Sequence, residues 1–321
     1  MNIVLGQICR HLFGLSVEET SYARRGFRGA TEAMRARLEQ VGTTFLLGYH
    51  AALKRSAGEG LAAELNSVEA ELQGFAFEGA AMGLALLDFL TPWRARRIRR
   101  FLRGAGNNHA YMVHVGVGWL WARAPFARWR TKKQLDPLLR WLAFDGWGFH
   151  EGFFNWHKYL PQGSDAPAAL SGYERRVFDQ GLGRSLWFVN GGNPELIAGT
   201  IEAFALARRG DLWSGVGLAA AYAGIVSVAV LRALHGSCRP YGPYLAQGAA
   251  FAAKARQRAD NSTGYTDLAT QLLCGISAAD AAQLCDTTVE NLPTNAVQPA
   301  FELWRQRIQQ YFQQAHQLQT S

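Results

Sequence analysis

The segment HVGVGWLWA, residues 114–122, shows the pattern from which the fold is predicted: glycines inside an otherwise apolar, helix-like run. Similar segments recur on both sides of it. They are FLLGYHAAL (45–53), FEGAAMGLAL (77–86), HEGFFNWH (150–157), DQGLGRSLWF (179–188), WSGVGLAAAY (213–222) and AQGAAFAAKA (246–255). Self-similarity at a period of roughly 20–50 residues is typical of repeat architectures.

Each segment has a central glycine, and successive central glycines are 29 to 37 residues apart. They are Gly48, Gly79, Gly116, Gly152, Gly181, Gly215 and Gly248. A glycine costs about 1 kcal/mol relative to alanine inside a helix, so a repeated helical glycine requires a structural reason. A helix without a side chain at one point lets a neighbouring backbone approach closely. We therefore predict that these glycines lie where helices pack against each other.

A second helix fits between consecutive glycine segments. Asn193-Pro194-Glu195, for example, has the features of a helix N-cap followed by proline at the first helical position. One helical pair for each repeat of about 34 residues resembles tetratricopeptide-type solenoids. The sequence therefore predicts a single all-α domain over 1–321. It would be an α-solenoid of about seven glycine-centred helical-hairpin repeats at 41–258, with helical caps at 1–40 and 259–321.

Cysteine spacing and hydropathy indicate the compartment. The four cysteines lie far apart, without the density of a disulfide framework or the spacing of zinc ligands. Residues 1–13 lack the apolar run of a signal peptide. The charge-free run 212–231 is long enough to span a membrane, but it contains several glycines and falls in register with the repeats. We predict a cytoplasmic protein without a membrane span.

The net charge of +8 is concentrated in one stretch. Between Asp88 and Asp136 there is no acidic residue, whereas eleven are basic. The arginines that we predict to bind a partner follow Pro92; they are Arg94, Arg96, Arg97, Arg99 and Arg100. The stretch fits an ordinary solvated helix face, or a surface for an acyl carrier protein, a synthase, a phosphate-bearing substrate or an anionic membrane. No nucleic-acid reading motif accompanies it, so nucleic acid is not expected as a partner.

Polar residues beside the repeat glycines are the candidate catalytic groups. Glu78, Glu151 and Asp179 are acid/base candidates, and His150 is expected to support them. If the repeats stack in register, these side chains converge on one surface. Carboxyl groups held against aromatic residues tend to have a raised pKa, which suits a general acid. The alternative is that the acidic residues favour the helix dipole at helix starts.

Aromatic and polar residues in the same segments are predicted to bind substrate: Arg184, Trp187, Trp156, Trp119 and Gln247. A metal site is not expected, because His150 and His157 would lie about 10 Å apart along a helix axis. No P-loop or dinucleotide fingerprint occurs, since Gly-x-Gly always falls within a helical pattern. We therefore expect no cofactor.

Long strings of the sequence resemble an uncharacterised bacterial family, a domain of unknown function found beside enediyne-type and related polyketide gene clusters. They include GFAFEGAAMGLALLDFL (74–90), NNHAYMVHVGVGWLWAR (107–123) and LDPLLRWLAFDGWGFHEGFFNW (135–156). The resemblance extends from about residue 26 to residue 259. It implies a role in natural-product assembly and assigns no catalytic residues.

Two functional hypotheses follow. The first is a cofactor-independent enzyme that uses acid/base chemistry to cyclise or rearrange a large apolar intermediate. The second is a non-catalytic helical-repeat scaffold that binds a synthase, a carrier protein or an intermediate through the basic stretch 94–133.

Overall fold

The computed structural model describes residues 13–55, 58–94, 96–293 and 296–320, without the side chains of Arg94, His316 and residues 318–320. The described residues form an all-α fold and contain no β-strand, which confirms the predicted fold class. Their α-helices are α1 (Tyr22–Arg25), α2 (Glu32–Arg55), α3 (Glu59–Asn66), α4 (Gln73–Leu90), α5 (Arg97–Arg103), α6 (Ala110–Arg123), α7 (Ala127–Thr131), α8 (Leu142–Phe154), α9 (Trp156–Tyr159), α10 (Tyr173–Val189), α11 (Pro194–Glu202), α12 (Leu206–Ala223), α13 (Val228–Ser237), α14 (Gly242–Arg258), α15 (Gly264–Cys274), α16 (Ala278–Val289) and α17 (Ala300–Thr320). Short 3-10 helices lie at Val17–Thr20, Ala70–Leu72, Pro92–Arg94, Lys132–Gln134 and Leu139–Trp141.

Backbone contacts divide the described residues into two compact units. The first lies within Met1–Gly26 and Ala36–Trp147, and the second within Phe27–Arg35 and Gly148–Ser321. In the first unit α2, α4, α6 and the start of α8 pack in sequence. In the second unit the end of α8 packs on α10, followed by α12, α14 and α16, while α11, α13 and α15 form a second row. This sequential packing is α-solenoid-like, as predicted.

Paired glycines allow one helix to pack closely on both sides. Residues i and i+2 are about 200° apart around a helix axis and therefore face opposite sides. In α6, a Cβ atom added at Gly116 would overlap the carbonyl oxygen of Glu78 in α4. A Cβ added at Gly118 would overlap the carbonyl oxygen of Ala143 in α8. Gly-x-Gly is thus a two-sided packing pattern in this chain.

The same arrangement recurs in the second unit, where Gly215 of α12 meets the carbonyl oxygen of Gln180. In α8 the structure differs from the sequence prediction. Gly146, not Gly152, occupies the place equivalent to Gly116, because its added Cβ would overlap the carbonyl oxygen of Val115. The α8 sequence contains three glycines, so periodicity alone did not distinguish the central one.

Local capping fixes the helix boundaries around the long apolar run. The side chain of Asn193 accepts hydrogen bonds from the N–H groups of Glu195 and Leu196, which confirms the predicted N-cap of α11. The run 212–231 is broken, since α12 ends at Ala223 and Ser227 caps α13. No described helix combines the length and apolar character that a membrane crossing requires.

Candidate functional site

The first predicted acid, Glu78, is buried in the first unit. The indole Nε1 of Trp119 donates a hydrogen bond to its Oε1 over 2.9 Å, and the ring of Phe45 lies 4.3 Å from that of Trp119. A predicted catalytic residue and a predicted substrate-binding residue are therefore direct partners. Their contact joins α4 to α6 inside the unit.

Asp179 is buried in α10 of the second unit and is held by Arg208 from α12. The Nε and Nη2 atoms of Arg208 donate to the two carboxylate oxygens over 2.9 and 2.6 Å. The same guanidinium donates to the carbonyl oxygens of Gly163 and Ser164. Burial raises the pKa of Asp179, and Arg208 opposes that effect. Arg208 thus connects both carboxylate oxygens of Asp179 to the loop that precedes α10.

Glu151 and His150 are buried near the end of α8. The amide of Asn155 donates to Oε2 of Glu151 over 2.8 Å, and Nδ1 of His150 lies 3.6 Å from Oε1. Burial acts to raise the pKa of Glu151, but the interactions with His150 and Asn155 outweigh it, so the pKa lies below its usual range. Glu151 is therefore a carboxylate at neutral pH, which suits a base or an ion-pair partner rather than a general acid.

A buried polar row connects three helices of the second unit. Gln180, Ser214 and Gln247 each immediately precede a helical glycine, and the glycines after Ser214 and Gln247 pack against the preceding helix. The hydroxyl of Ser214 donates to Oε1 of Gln247 over 2.9 Å and lies 3.4 Å from Oε1 of Gln180. The Nε atom of Arg305 in α17 also donates to Gln247. These three side chains are fully buried, and the predicted acids Glu78, Glu151 and Asp179 are not among them.

Two further buried polar features were missed from the sequence. Asp145 takes the place in α8 that the repeat pattern predicts for Glu151, because the register there is set by Gly146. In the second unit, Arg305 contacts Asp211 over 2.8 Å and Glu302 over 3.3 Å. Burial opposes the charge of Arg305, but Tyr173, Asp211 and Glu302 together raise its pKa. Arg176 contacts the same two carboxylates, so the four charges form one network.

The remaining predicted substrate-binding residues do not share one site. Arg184 is buried with its guanidinium carbon 4.9 Å from the ring centre of Phe149, and Trp187 is fully buried. Trp156 instead lines a surface cleft of the second unit. Gln247 belongs to the polar row described above. Trp156 is thus the member of this set that a small molecule can reach.

Exposed aromatic and basic residues of the first unit lie in the two segments 93–103 and 126–133, which a contact between Arg99 and Lys133 joins. We call this the basic–aromatic surface; it comprises Trp93, Arg96, Arg99, Arg100, Arg103, Phe126, Trp129, Arg130 and Lys133. The aromatic side chains are strongly exposed: 76% for Trp93, 68% for Phe126 and 75% for Trp129. Large apolar side chains are rarely exposed together on a monomer unless they bind something.

Contacts between short helices hold this surface together. Arg99 of α5 donates to the carbonyl oxygen of Lys133, and its N–H donates to the side chain of Gln134. The ring of Phe126 lies 6.3 Å from that of Phe89 at the end of α4. The 3-10 helix after α7 is therefore joined to α5, and the start of α7 to α4.

The predicted partner-binding arginines divide into different environments. Arg96, Arg99 and Arg100 are exposed and have no ion pair within the described part of the chain. Arg97 is buried, with its Nη1 atom 3.1 Å from Oδ1 of buried Asp88. The side chain of Arg94 lies outside the described residues. Asp88, the acid that precedes the basic stretch, is therefore paired with Arg97 inside the unit and does not neutralise the basic–aromatic surface.

Comparison with known proteins identifies one family. The family model described as "Protein of unknown function (DUF1702)" matches residues 4–312. No curated protein and no solved structure gives a significant match to the chain. Within the residues that the structure describes, no group of three His, Cys, Asp or Glu side chains is placed to hold a metal ion.

Proposed function

The chain belongs to this family of unknown function, and from that premise we propose that it is a helical-repeat binding protein of natural-product assembly. Its partner would be an acidic protein, either an acyl carrier protein or a synthase of an enediyne-type or related polyketide system. The resemblance of the strings at 74–90, 107–123 and 135–156 supports a role in polyketide-type biosynthesis. The basic–aromatic surface supports binding of an acidic partner.

The composition of the surface is the observation that carries this proposal. Arginine and tryptophan are enriched among the residues that dominate binding energy at protein interfaces. The exposed bases Arg96, Arg99 and Arg100 face no acid from their own stretch of sequence. A surface of one charge sign accelerates encounter with a partner of the opposite sign and disfavours basic partners. An acidic carrier protein has the required complementarity.

The surroundings of the buried carboxylates also favour binding over catalysis. Both oxygens of Asp179 are bound by Arg208, and Glu78 accepts from the buried indole of Trp119. A general acid or base must lie within hydrogen-bond reach of the substrate. Both side chains already accept hydrogen bonds from side chains of another helix.

A binding titration tests the proposal. We would label the acyl carrier protein of the same host and titrate it with wild type and with the triple variant R96E/R99E/R100E. The control R232E/R239E/R258E changes the net charge equally, at exposed arginines of the second unit. The surface variant should bind at least about tenfold more weakly, since charge reversal replaces attraction by repulsion.

Equal affinity of the surface variant and the control would contradict the proposal. Binding of wild type to vesicles containing phosphatidylglycerol, without binding to the carrier protein, would instead assign the surface to a lipid membrane. Arg97 is left unchanged in these variants, because reversal there would place a repulsive charge beside buried Asp88.

The second candidate is cofactor-independent acid/base catalysis, such as cyclisation or rearrangement of a large apolar intermediate. The contact between His150 and Glu151 favours it, because a carboxylate that holds a histidine can orient a general base. Glu151→Gln removes the carboxylate while keeping the shape. Loss of product with Glu151→Gln, but not with the exposed control Glu290→Gln, would establish this candidate.

A further inference from the structure

A cleft of about 310 Å³ lies on the surface of the second unit, between the region of α9 and α11. Its volume is at the lower end of the range of small-molecule sites. Its walls are mainly apolar and include Trp156, Leu160, Val189 and Leu196. Arg28 and Glu195 are the charged residues of the lining. None of the predicted catalytic residues lines it.

Asn190 supplies a polar group to the lining although it is 1% exposed. The hydroxyl of Thr200 donates its single proton to the carbonyl oxygen of Leu196 over 2.7 Å. It can therefore only accept from Asn190, whose Nδ2 atom lies 3.4 Å away. This contact directs Nδ2 toward Thr200. The Oδ1 atom of Asn190 has no hydrogen-bond partner among the described residues.

An unpartnered buried carbonyl oxygen is costly, and a ligand that donates a hydrogen bond removes that cost. The backbone on either side of Asn190 is held in place by two contacts. The N–H of Arg28 donates to the carbonyl oxygen of Val189 over 2.9 Å. Gly191, at φ 57°, leaves no room for a Cβ atom against Ala30. The segment beside the cleft is therefore fixed by close backbone packing.

We propose that this cleft binds a small, mainly apolar molecule that presents one hydroxyl group to Asn190, such as an alkylphenol. The aromatic body would lie against Trp156 and the aliphatic wall. The side chain of Asn190 would turn slightly toward the cleft, and the hydroxyl would donate to its Oδ1 atom, so that both partners are satisfied. This site is independent of the basic–aromatic surface, because it lies in the other unit and uses different residues.

Gly199 gives a direct way to fill the cleft. It lines the cleft within α11, and a Cβ added there would meet nothing within 4 Å. Gly199→Leu should therefore occupy the ligand space and leave the helix intact. The matched control is Gly236→Leu, at a helical glycine of the same unit that also has open space and lies outside the cleft.

The test is ligand-detected NMR titration with 4-methylphenol and with toluene, which has the same shape without the hydroxyl. Wild type and Gly236→Leu should bind 4-methylphenol roughly three- to tenfold more tightly than toluene, the range that one hydrogen bond provides. Gly199→Leu should lose both ligands. Asn190→Leu, checked for native helicity, should bind the two ligands equally.

Three outcomes would overturn the proposal. The first is unchanged binding of 4-methylphenol to Gly199→Leu, which would place the ligand elsewhere. The second is equal affinity of wild type for the two ligands, which would remove Asn190 from recognition. The third is the absence of any binding to wild type.

Discussion

Gly215 and Gly236 are both helical glycines of the second unit, but their surroundings are opposite. A Cβ at Gly215 would overlap the backbone of α10, whereas a Cβ at Gly236 would meet nothing within 4 Å. We expect Gly215→Ala to lower the free energy of unfolding by roughly 1–3 kcal/mol through overpacking. Gly236→Ala should raise it by up to about 1 kcal/mol because alanine favours the helix.

Urea denaturation of the two variants measures this difference. The assignment of Gly215 to a close helix contact would fail if both alanine variants were equally stable. A stabilised Gly215→Ala variant would mean that α10 and α12 are further apart than described.

Glu151 has a pH-dependent role in stability. Because its pKa is lower in the folded protein, the folded state favours the carboxylate. The stabilisation is present above the usual glutamate pKa and is lost as the pH falls through the folded value. Glu151→Gln should therefore be less stable than wild type at pH 7, with the difference shrinking below about pH 4. Urea unfolding at both pH values measures this.

The control for that comparison is Glu290→Gln, at an exposed glutamate. It should show no such change with pH. A deficit of Glu151→Gln that is the same at pH 7 and pH 3 would indicate a loss of packing rather than of charge.

Residue-level chemistry was only partly predictable from the sequence. The polarity and burial of Glu78 and Asp179 could be anticipated from their place beside glycines. Their partners could not, because Arg208 lies 29 residues from Asp179 and Trp119 lies 41 from Glu78. Arg97 looked like its exposed neighbours, since no local pattern marks its contact with Asp88. Such pairings depend on which helices become neighbours.

At the scale of elements, α17 is attached to the second unit by both apolar and ionic contacts. Phe301 and Trp304 pack on Phe251 of α14, while Arg305 reaches Asp211 of α12. Removing one partner of a buried ion pair leaves uncompensated charge, at a cost of roughly 3–5 kcal/mol. Arg305→Met should therefore lower the free energy of unfolding by about that amount.

Arg258→Met provides the comparison, because it makes the same change at an exposed arginine at the end of α14. Its stability should remain within about 0.5 kcal/mol of wild type. If Arg305→Met were as stable as wild type in urea titrations, the network of Arg176, Asp211, Glu302 and Arg305 would not hold α17 in place.

Helix positions were predictable where glycine spacing and capping residues agree. The N-cap at Asn193 and the packing of Gly215 against its neighbour were both recovered from the sequence. The register of α8 was not, because Gly146, Gly148 and Gly152 all fit a helical glycine pattern. Only the atom that each one meets distinguishes them: Gly146 and Gly148 meet the carbonyl oxygens of Val115 and Phe178, whereas Gly152 meets the hydroxyl of Ser185.

At the scale of the whole molecule, the all-α repeat fold followed from recurrence of one pattern along most of the chain. The pairs Gly116/Gly118 and Gly215/Gly217 face the helices before and after their own, so the glycine spacing reflects the order in which these helices pack. The charge network around Arg305 could not be predicted in this way. Its ion pairs join residues up to 126 positions apart, and no repeat pattern relates them.

If the basic–aromatic surface binds the carrier protein, biosynthesis depends on that surface and not on the carboxylate of Glu151. The direct measurement is metabolite profiling of the native host carrying R96E/R99E/R100E or Glu151→Gln, with protein levels matched to wild type. The surface variant should lose the final product, and Glu151→Gln should retain it. Loss of product with Glu151→Gln, together with an accumulated intermediate and an unaffected surface variant, would show instead that the protein is an enzyme that requires Glu151.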